Sequence, residues 1–360
     1  MSRILNNYQD QFKEISEDFF KFWYDEYRFQ YRPVVGYTLK EYKSKNFNIN
    51  KEGFRSKENF ENILKKEKKK IFFFGSSALV GIPNLSDEQV ISKEVEKNLT
   101  NNFDCLNYGL IASKINSEFA LLKQILTDSF PDFLVLYTGY NDLNSAYHGH
   151  KFEYYDDIDS LLKMGFEFDK NKSNLLYGFD LFLDISINKF KKLINTFNVK
   201  NYSSNMKEAQ KKRRDILKKK QNKTNYNFIR KVFLDYLELI FYLCKKKNIK
   251  IVYIHQSSLL TTDKELSEYE NEYYISHQEL GLYKNSNLKL DQEVFKMNHE
   301  LTKNSAHNIC DEMKIDYIDF DKILLNNYKK ENIFYDNVHL TNVGSKILAN
   351  LISEKILNNT

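Results

Sequence analysis

The chain has 360 residues, 42% of them hydrophobic and 15% aromatic, with a formal net charge of +5. That length and apolar content suffice for one large α/β domain with elaborations or for two smaller domains, and the charge is too small for this size to imply a nucleic-acid partner. No apolar run is long enough to cross a bilayer, and the opening MSRILNNYQDQFKEISEDFF lacks the basic-then-apolar layout of a signal peptide, so the expected location is cytoplasmic.

Residues 1–65 read as a helical and extended lead-in packed on the rest of the chain. Phe12, Ile15, Phe19, Phe22 and Trp23 recur at helical spacing before Pro33 ends the pattern. From about Lys70 strands and helices alternate. KIFFFG is a strand, FDCLNYG is a strand ending near Gly109, and SKINSEFALLKQILTDS is a helix with Ile115, Phe119, Leu122 and Ile125 inward; DFLVLYTG is a third strand. Residues from about 144 to 225 are polar, irregular and partly basic, and read as an insertion. A strongly periodic helix from Tyr226 to Lys247 then feeds the strand KIVYIHQ. After a polar loop, a helix near 293–313 leads to a fifth strand, IDYIDF, and the chain closes on a helix with Thr341 as its N-cap. Five strands separated by helices imply a parallel, doubly wound sheet.

Three of these strands end on residues able to do chemistry: Gly75-Ser76-Ser77, Asn107-Tyr108-Gly109 and Gly139-Tyr140-Asn141-Asp142. Parallel strands bring their carboxyl ends to one edge, so these segments converge on one crevice. A serine there serves either as a nucleophile or as an ordinary turn residue, and the strand end alone leaves both open. A nucleophile needs a base. Of the seven histidines only His339 has an aspartate three residues ahead, Asp336, in YDNVHL. On one loop turn such a pair sets a carboxylate against the imidazole Nδ1–H and leaves Nε2 for the serine. The backbone N–H groups of Ser77 and Gly109 and the side-chain amide of Asn141 are the candidate donors to an oxyanion.

Other chemistries lack their signatures. The G-x-S-x-G elbow, the phosphate-binding G-x-x-x-x-G-K-[ST] and a G-x-G-x-x-G after a strand are absent. His148 to His150 and the pair His299 and His307 do not have zinc-ligand spacing, so no metal is expected. Cys105, Cys244 and Cys310 lie far apart and read as small buried apolar residues. The basic run KKRRDILKKKQNK, from Lys211, lacks interleaved aromatics and reads as a solvated helical face.

Taken in order, FFGSSALVG, NYGLIAS, TGYND and DNVHLTNVG resemble the four sequence blocks of the SGNH (GDSL-type) hydrolase family. The resemblance implies a three-layer α/β/α, flavodoxin-like sheet of five parallel strands over residues 66–360, with an inserted helical segment at about 144–225. It implies Ser77 as nucleophile, Asp336 and His339 as the rest of a triad, Gly109 and Asn141 with the Ser77 amide as oxyanion donors, and no cofactor. The family often has Gly-Asp-Ser where this chain has Gly75-Ser76-Ser77, which leaves Ser76 as the alternative nucleophile. Upstream, NFNINKEGFRS is similar to a lead-in of SGNH proteins from bacterial polysaccharide pathways and points to an acylated sugar rather than a lipid, so the expected partner is a small-molecule or glycan ester substrate. The implied activity is acyl-ester hydrolysis, foremost O-deacetylation of a sugar. The alternatives are acyl transfer by the same serine, hydrolysis of a lipid or thioester, and a non-catalytic glycan-binding module.

Overall fold

The computed structural model describes residues 17–19, 21–22, 29–32, 35–99, 102–147, 226–279 and 288–360. The chain divides into two compact units, residues 1–145 with 226–360, and residues 146–225. The second falls almost entirely outside the described residues, as do the basic run, the histidines at 148 and 150 and the segment 151–224.

The lead-in forms an antiparallel pair, β1 (Phe29–Arg32) and β2 (Gly36–Leu39), and a short helix α1 (Phe60–Leu64). Five parallel strands follow: β3 (Lys69–Gly75), β4 (Phe103–Asn107), β5 (Phe133–Thr138), β6 (Lys250–His255) and β7 (Asp316–Ile318). Their order across the sheet is β4-β3-β5-β6-β7, so the chain crosses over between β4 and β5. In such a sheet the crevice beyond the carboxyl ends of the strands at the crossover, here β3 and β5, is where groups from separate loops meet.

The intervening helices are α2 (Ser77–Val80), α3 (Ile91–Asn98), α4 (Ile115–Ile125), α5 (Tyr140–Tyr147), α6 (Tyr226–Lys246), α7 (Glu268–Glu279), α8 (Leu288–Met313), α9 (Phe320–Asn327) and α10 (Asn342–Leu357). Helices α3 and α10 pack together on one side of the sheet, and α4, α6 and α8 pack on the other. Because strand side chains alternate between faces, the unbroken run Ile71 to Phe74 serves both layers. Ile71 and Phe73 join Val95 and Ile352 in one core, while Phe72 and Phe74 meet the ring of Tyr108 in the other. All three cysteines are buried and free. Among the described residues no helix is long and apolar enough to cross a membrane.

Several local expectations change. In α4 Ile115, Leu122 and Ile125 are buried as expected, but Leu121 takes the fourth inward place, while Phe119 is only partly buried and sits against Tyr236. The polar stretch after β6 contains α7, and α3 and α9 are helices that periodicity did not single out. Of the lead-in's apolar set, Phe19 and Phe22 are buried beside Phe47. Phe12, Ile15 and Trp23 lie outside the described residues.

Candidate active site

Strand β3 ends at Gly75, opposite Tyr137 of β5. A Cβ on residue 75 would stand 2.3 Å from the Tyr137 carbonyl oxygen, so only glycine permits this close approach. The chain then turns directly into α2, whose first residue is Ser77. The two serines part company here. The Ser76 hydroxyl is buried and donates to Gln256 Oε1 at 3.1 Å, away from the base. The Ser77 hydroxyl faces His339, with its oxygen 2.9 Å from Nε2.

Asp336 and His339 lie on the loop before α10, whose first turn is capped by the Thr341 side chain accepting from the Gly344 N–H. One carboxylate oxygen of Asp336 accepts from the N–H groups of Val338 (2.9 Å) and His339 (2.8 Å), and the other lies 2.7 Å from His339 Nδ1. Burial opposes ionisation of this carboxyl, but the His339 imidazole and the two N–H groups outweigh it and hold Asp336 below the usual carboxylate range. A carboxylate can only accept, so the imidazole proton sits on Nδ1 and Nε2 presents a lone pair to Ser77.

That loop is held from several sides by residues whose spacing carries no signal. Glu270 is fully buried, pairs with Lys264, and accepts from the N–H groups of Ile333 (2.9 Å) and Phe334 (3.0 Å). Tyr269 donates to the Tyr335 carbonyl at 2.6 Å, Leu259 N–H to the Asn337 carbonyl at 2.8 Å, and Asn84 Nδ2 to the Leu340 carbonyl at 3.1 Å. Asn84 ties the segment after Ser77 directly to the residue after His339.

The expected oxyanion donors divide. Asn141 is in α5, entered through Gly139, whose φ of 113° favours glycine and where a Cβ would strike the His255 ring at 2.4 Å. The Asn141 side-chain nitrogen donates to the Ser113 carbonyl at 2.9 Å, which engages one of its two protons and leaves the second. Gly109 stands differently from Asn141. Its single N–H is directed at the side-chain oxygen of Asn107, 2.9 Å away, and Asn107 is itself fixed by donating to the Leu79 carbonyl. To serve an oxyanion this amide would have to exchange Asn107 for the substrate oxygen. The same loop puts Ala112 in left-handed backbone, φ 61°.

The lead-in motif NFNINKEGFRS makes internal contacts. Arg55 is buried, donates from Nε to Asp87 at 2.6 Å, and reaches the carbonyls of Val80 (3.0 Å), Leu85 (2.8 Å) and Asn46 (3.1 Å). Its guanidinium lies over Phe47, 4.2 Å from the ring centroid. Asp87 also takes both the backbone and side-chain N–H of Asn48. The motif therefore clamps the helix that begins with Ser77. His299 and His307 are buried in α8; His299 Nε2 lies 2.9 Å from the Gln256 carbonyl and His307 stacks on Tyr317.

No family model matches the chain, and no curated protein matches its sequence. Similar solved structures include an acetyl xylan esterase (15% identity, TM-score 0.42, covering 80% of this chain and 99% of that one). Another is a lipase/acylhydrolase from Enterococcus faecalis (12%, 0.42, 81% and 96%). A third is a catalytic mutant of an acetylxylan esterase from Geobacillus stearothermophilus (10%, 0.41, 80% and 94%). In its doubly wound parallel sheet, in the order of its four sequence blocks and in the meeting of Ser77, His339 and Asp336 at the strand ends, this chain is similar to the SGNH (GDSL-type) hydrolases.

Proposed function

We propose that this chain is a serine esterase of the SGNH type, removing an acyl group, foremost acetyl, from an acylated sugar or glycan. The observation that carries this reading is the continuous hydrogen-bonded path from Asp336 through His339 to Ser77. Nucleophile, base and orienting carboxylate each need that contact, and an inert scaffold has no use for it.

In this reading Ser77 Oγ attacks the ester carbonyl carbon while His339 Nε2 takes its proton. The Ser77 N–H and the second proton of the Asn141 amide hold the oxyanion. Collapse breaks the bond to the alcohol, which leaves with the proton from His339. Water, deprotonated by His339, then attacks the acyl-serine, and the acid leaves as the proton returns to Ser77. Asp336 stays ionised throughout and stabilises the imidazolium. The preference for a sugar ester is supported by the lead-in resemblance.

Acetylated sugars, sugar nucleotides and glycans incubated with wild type and Ser77→Ala, followed by mass spectrometry, test the reading. Loss of acetyl groups with wild type alone is expected. Transfer of the acyl group to an added acceptor sugar faster than to water would recast the chain as a transferase. No loss or transfer from any member of the panel would contradict both.

A further inference from the structure

Behind the Asn141 amide lies a buried acid with no cation paired to it among the described residues. Glu118, in the first turn of α4, is 2% exposed, and its Oε2 has no hydrogen-bond partner among the described residues. Its Oε1 lies 2.9 Å from the Ser113 hydroxyl oxygen, which in turn lies 3.1 Å from the carbonyl oxygen of Gly75. The Ser113 backbone carbonyl is the acceptor that orients Asn141 Nδ2. One residue thus touches the two segments that present candidate oxyanion donors: Gly75 ahead of Ser76 and Ser77, and Asn141. It follows Ala112, the non-glycine residue held at φ 61° in this loop. A loop under that backbone strain keeps its shape only if its surroundings hold it.

We propose that Glu118 is a positioning residue for the oxyanion site, acting through Ser113 to fix both the Gly75–Ser77 turn and the direction of the Asn141 amide. The inference rests on the esterase reading of Asn141. The proton count favours a neutral carboxyl: a protonated Glu118 donates to Ser113 Oγ, Ser113 donates to the Gly75 carbonyl, and each donor then has its own acceptor. An ionised Glu118 would instead compete with Gly75 for the one serine proton, keep only the Thr138 hydroxyl as a further donor, and stand buried with no counter-charge among the described residues. Burial pushes this carboxyl up to about 7, with Thr138 and Ser113 opposing it only in part.

The test compares Glu118→Gln, Glu118→Ala and Ser113→Ala with wild type in kcat and KM for p-nitrophenyl acetate, together with thermal unfolding. Gln keeps a donor to Ser113, so Glu118→Gln should stay within about threefold of wild type in kcat. Glu118→Ala should lose about 10- to 100-fold in kcat with KM within twofold, a loss that destabilisation alone does not give when the assay is run well below the melting temperature. Ser113→Ala, which keeps the backbone carbonyl but not the link, should lose roughly tenfold and decides the matter if Glu118→Ala does not fold. Wild-type kcat in folded Glu118→Ala or in Ser113→Ala, or an equal loss in Glu118→Gln and Glu118→Ala, would overturn the inference and leave the esterase reading standing. A wild type without activity would overturn both.

Discussion

The imidazole of His339 and the hydroxyl of Ser77 are 262 residues apart in sequence, with Nε2 and Oγ 2.9 Å apart in space. Neither group is an effective catalyst alone: a serine hydroxyl is a weak nucleophile near neutral pH, and a histidine free to rotate is a poorly aimed base. Their approach is secured by backbone. Ser77 is fixed by the tight passage of β3 beside β5, and His339 by a loop whose carbonyls and N–H groups are bound to Tyr269, Glu270, Leu259 and Asn84.

Asp336→Asn should preserve the fold and remove most activity. The oxygen of the new amide would remain with the Val338 and His339 N–H groups, which turns its NH2 toward His339 Nδ1. That stabilises the wrong imidazole tautomer, with the proton on Nε2, and kcat should fall about 10³- to 10⁴-fold. Circular dichroism and steady-state kinetics check this, and a loss under tenfold in a folded variant would remove Asp336 from the role.

Asn141→Ala should lower kcat about 10²- to 10³-fold, as loss of a single oxyanion donor does. The Gly109 amide could compensate only by giving up its bond to Asn107. Hydrolysis within threefold of wild type would show that the oxyanion is held elsewhere.

Arg55 is expected to matter for stability. Arg55→Met leaves Asp87 buried without its cation and should cost about 3–5 kcal/mol in urea unfolding. Lysine should rescue only part of this, since an ammonium cannot span the Asp87 carboxylate and the three carbonyls that the guanidinium reaches. Full rescue by lysine would mean that charge alone, without the fork, sets the clamp.

Glu118 gives a pH signature. Its carboxyl is raised by burial to about 7, against about 4.3 when unfolded. Between those values the folded chain keeps a proton that the unfolded chain has lost, so stability should decline as pH rises through that interval, by up to about 1.4 kcal/mol per pH unit, and level off above it. Glu118→Gln has no such proton. The difference in melting temperature between wild type and this variant should change across the window and be flat above about pH 7; a difference independent of pH would contradict the burial of an acid here.

The strands were legible because a strand buried on both faces reads as an unbroken apolar run, as IFFF and FLVLY do. The Asp336–His339 pair was legible because both members lie on one turn of chain, and Ser77 because it follows a strand end. What spacing does not show is where a polar group's hydrogen bond goes. Nothing in NYGLIAS says that the Gly109 amide turns back to Asn107, and nothing in INSEFALL marks Glu118 as an inward acid. Glu270 reaches the histidine loop only because the segment after β6 folds over it, a relation set by tertiary packing. The lead-in motif was visible as a pattern. Its internal use, Arg55 clamping the Ser77 helix, becomes clear only when the four oxygens around the guanidinium are seen together.

The most direct measurement is reaction of the intact protein with a fluorophosphonate, followed by peptide mass spectrometry of the adduct. A single adduct on Ser77 is predicted, unchanged in Ser76→Ala and lost in His339→Ala, because only the Ser77 hydroxyl meets the imidazole. An adduct on Ser76, or none on either serine in the folded wild type, would contradict the assignment of Ser77 as the nucleophile.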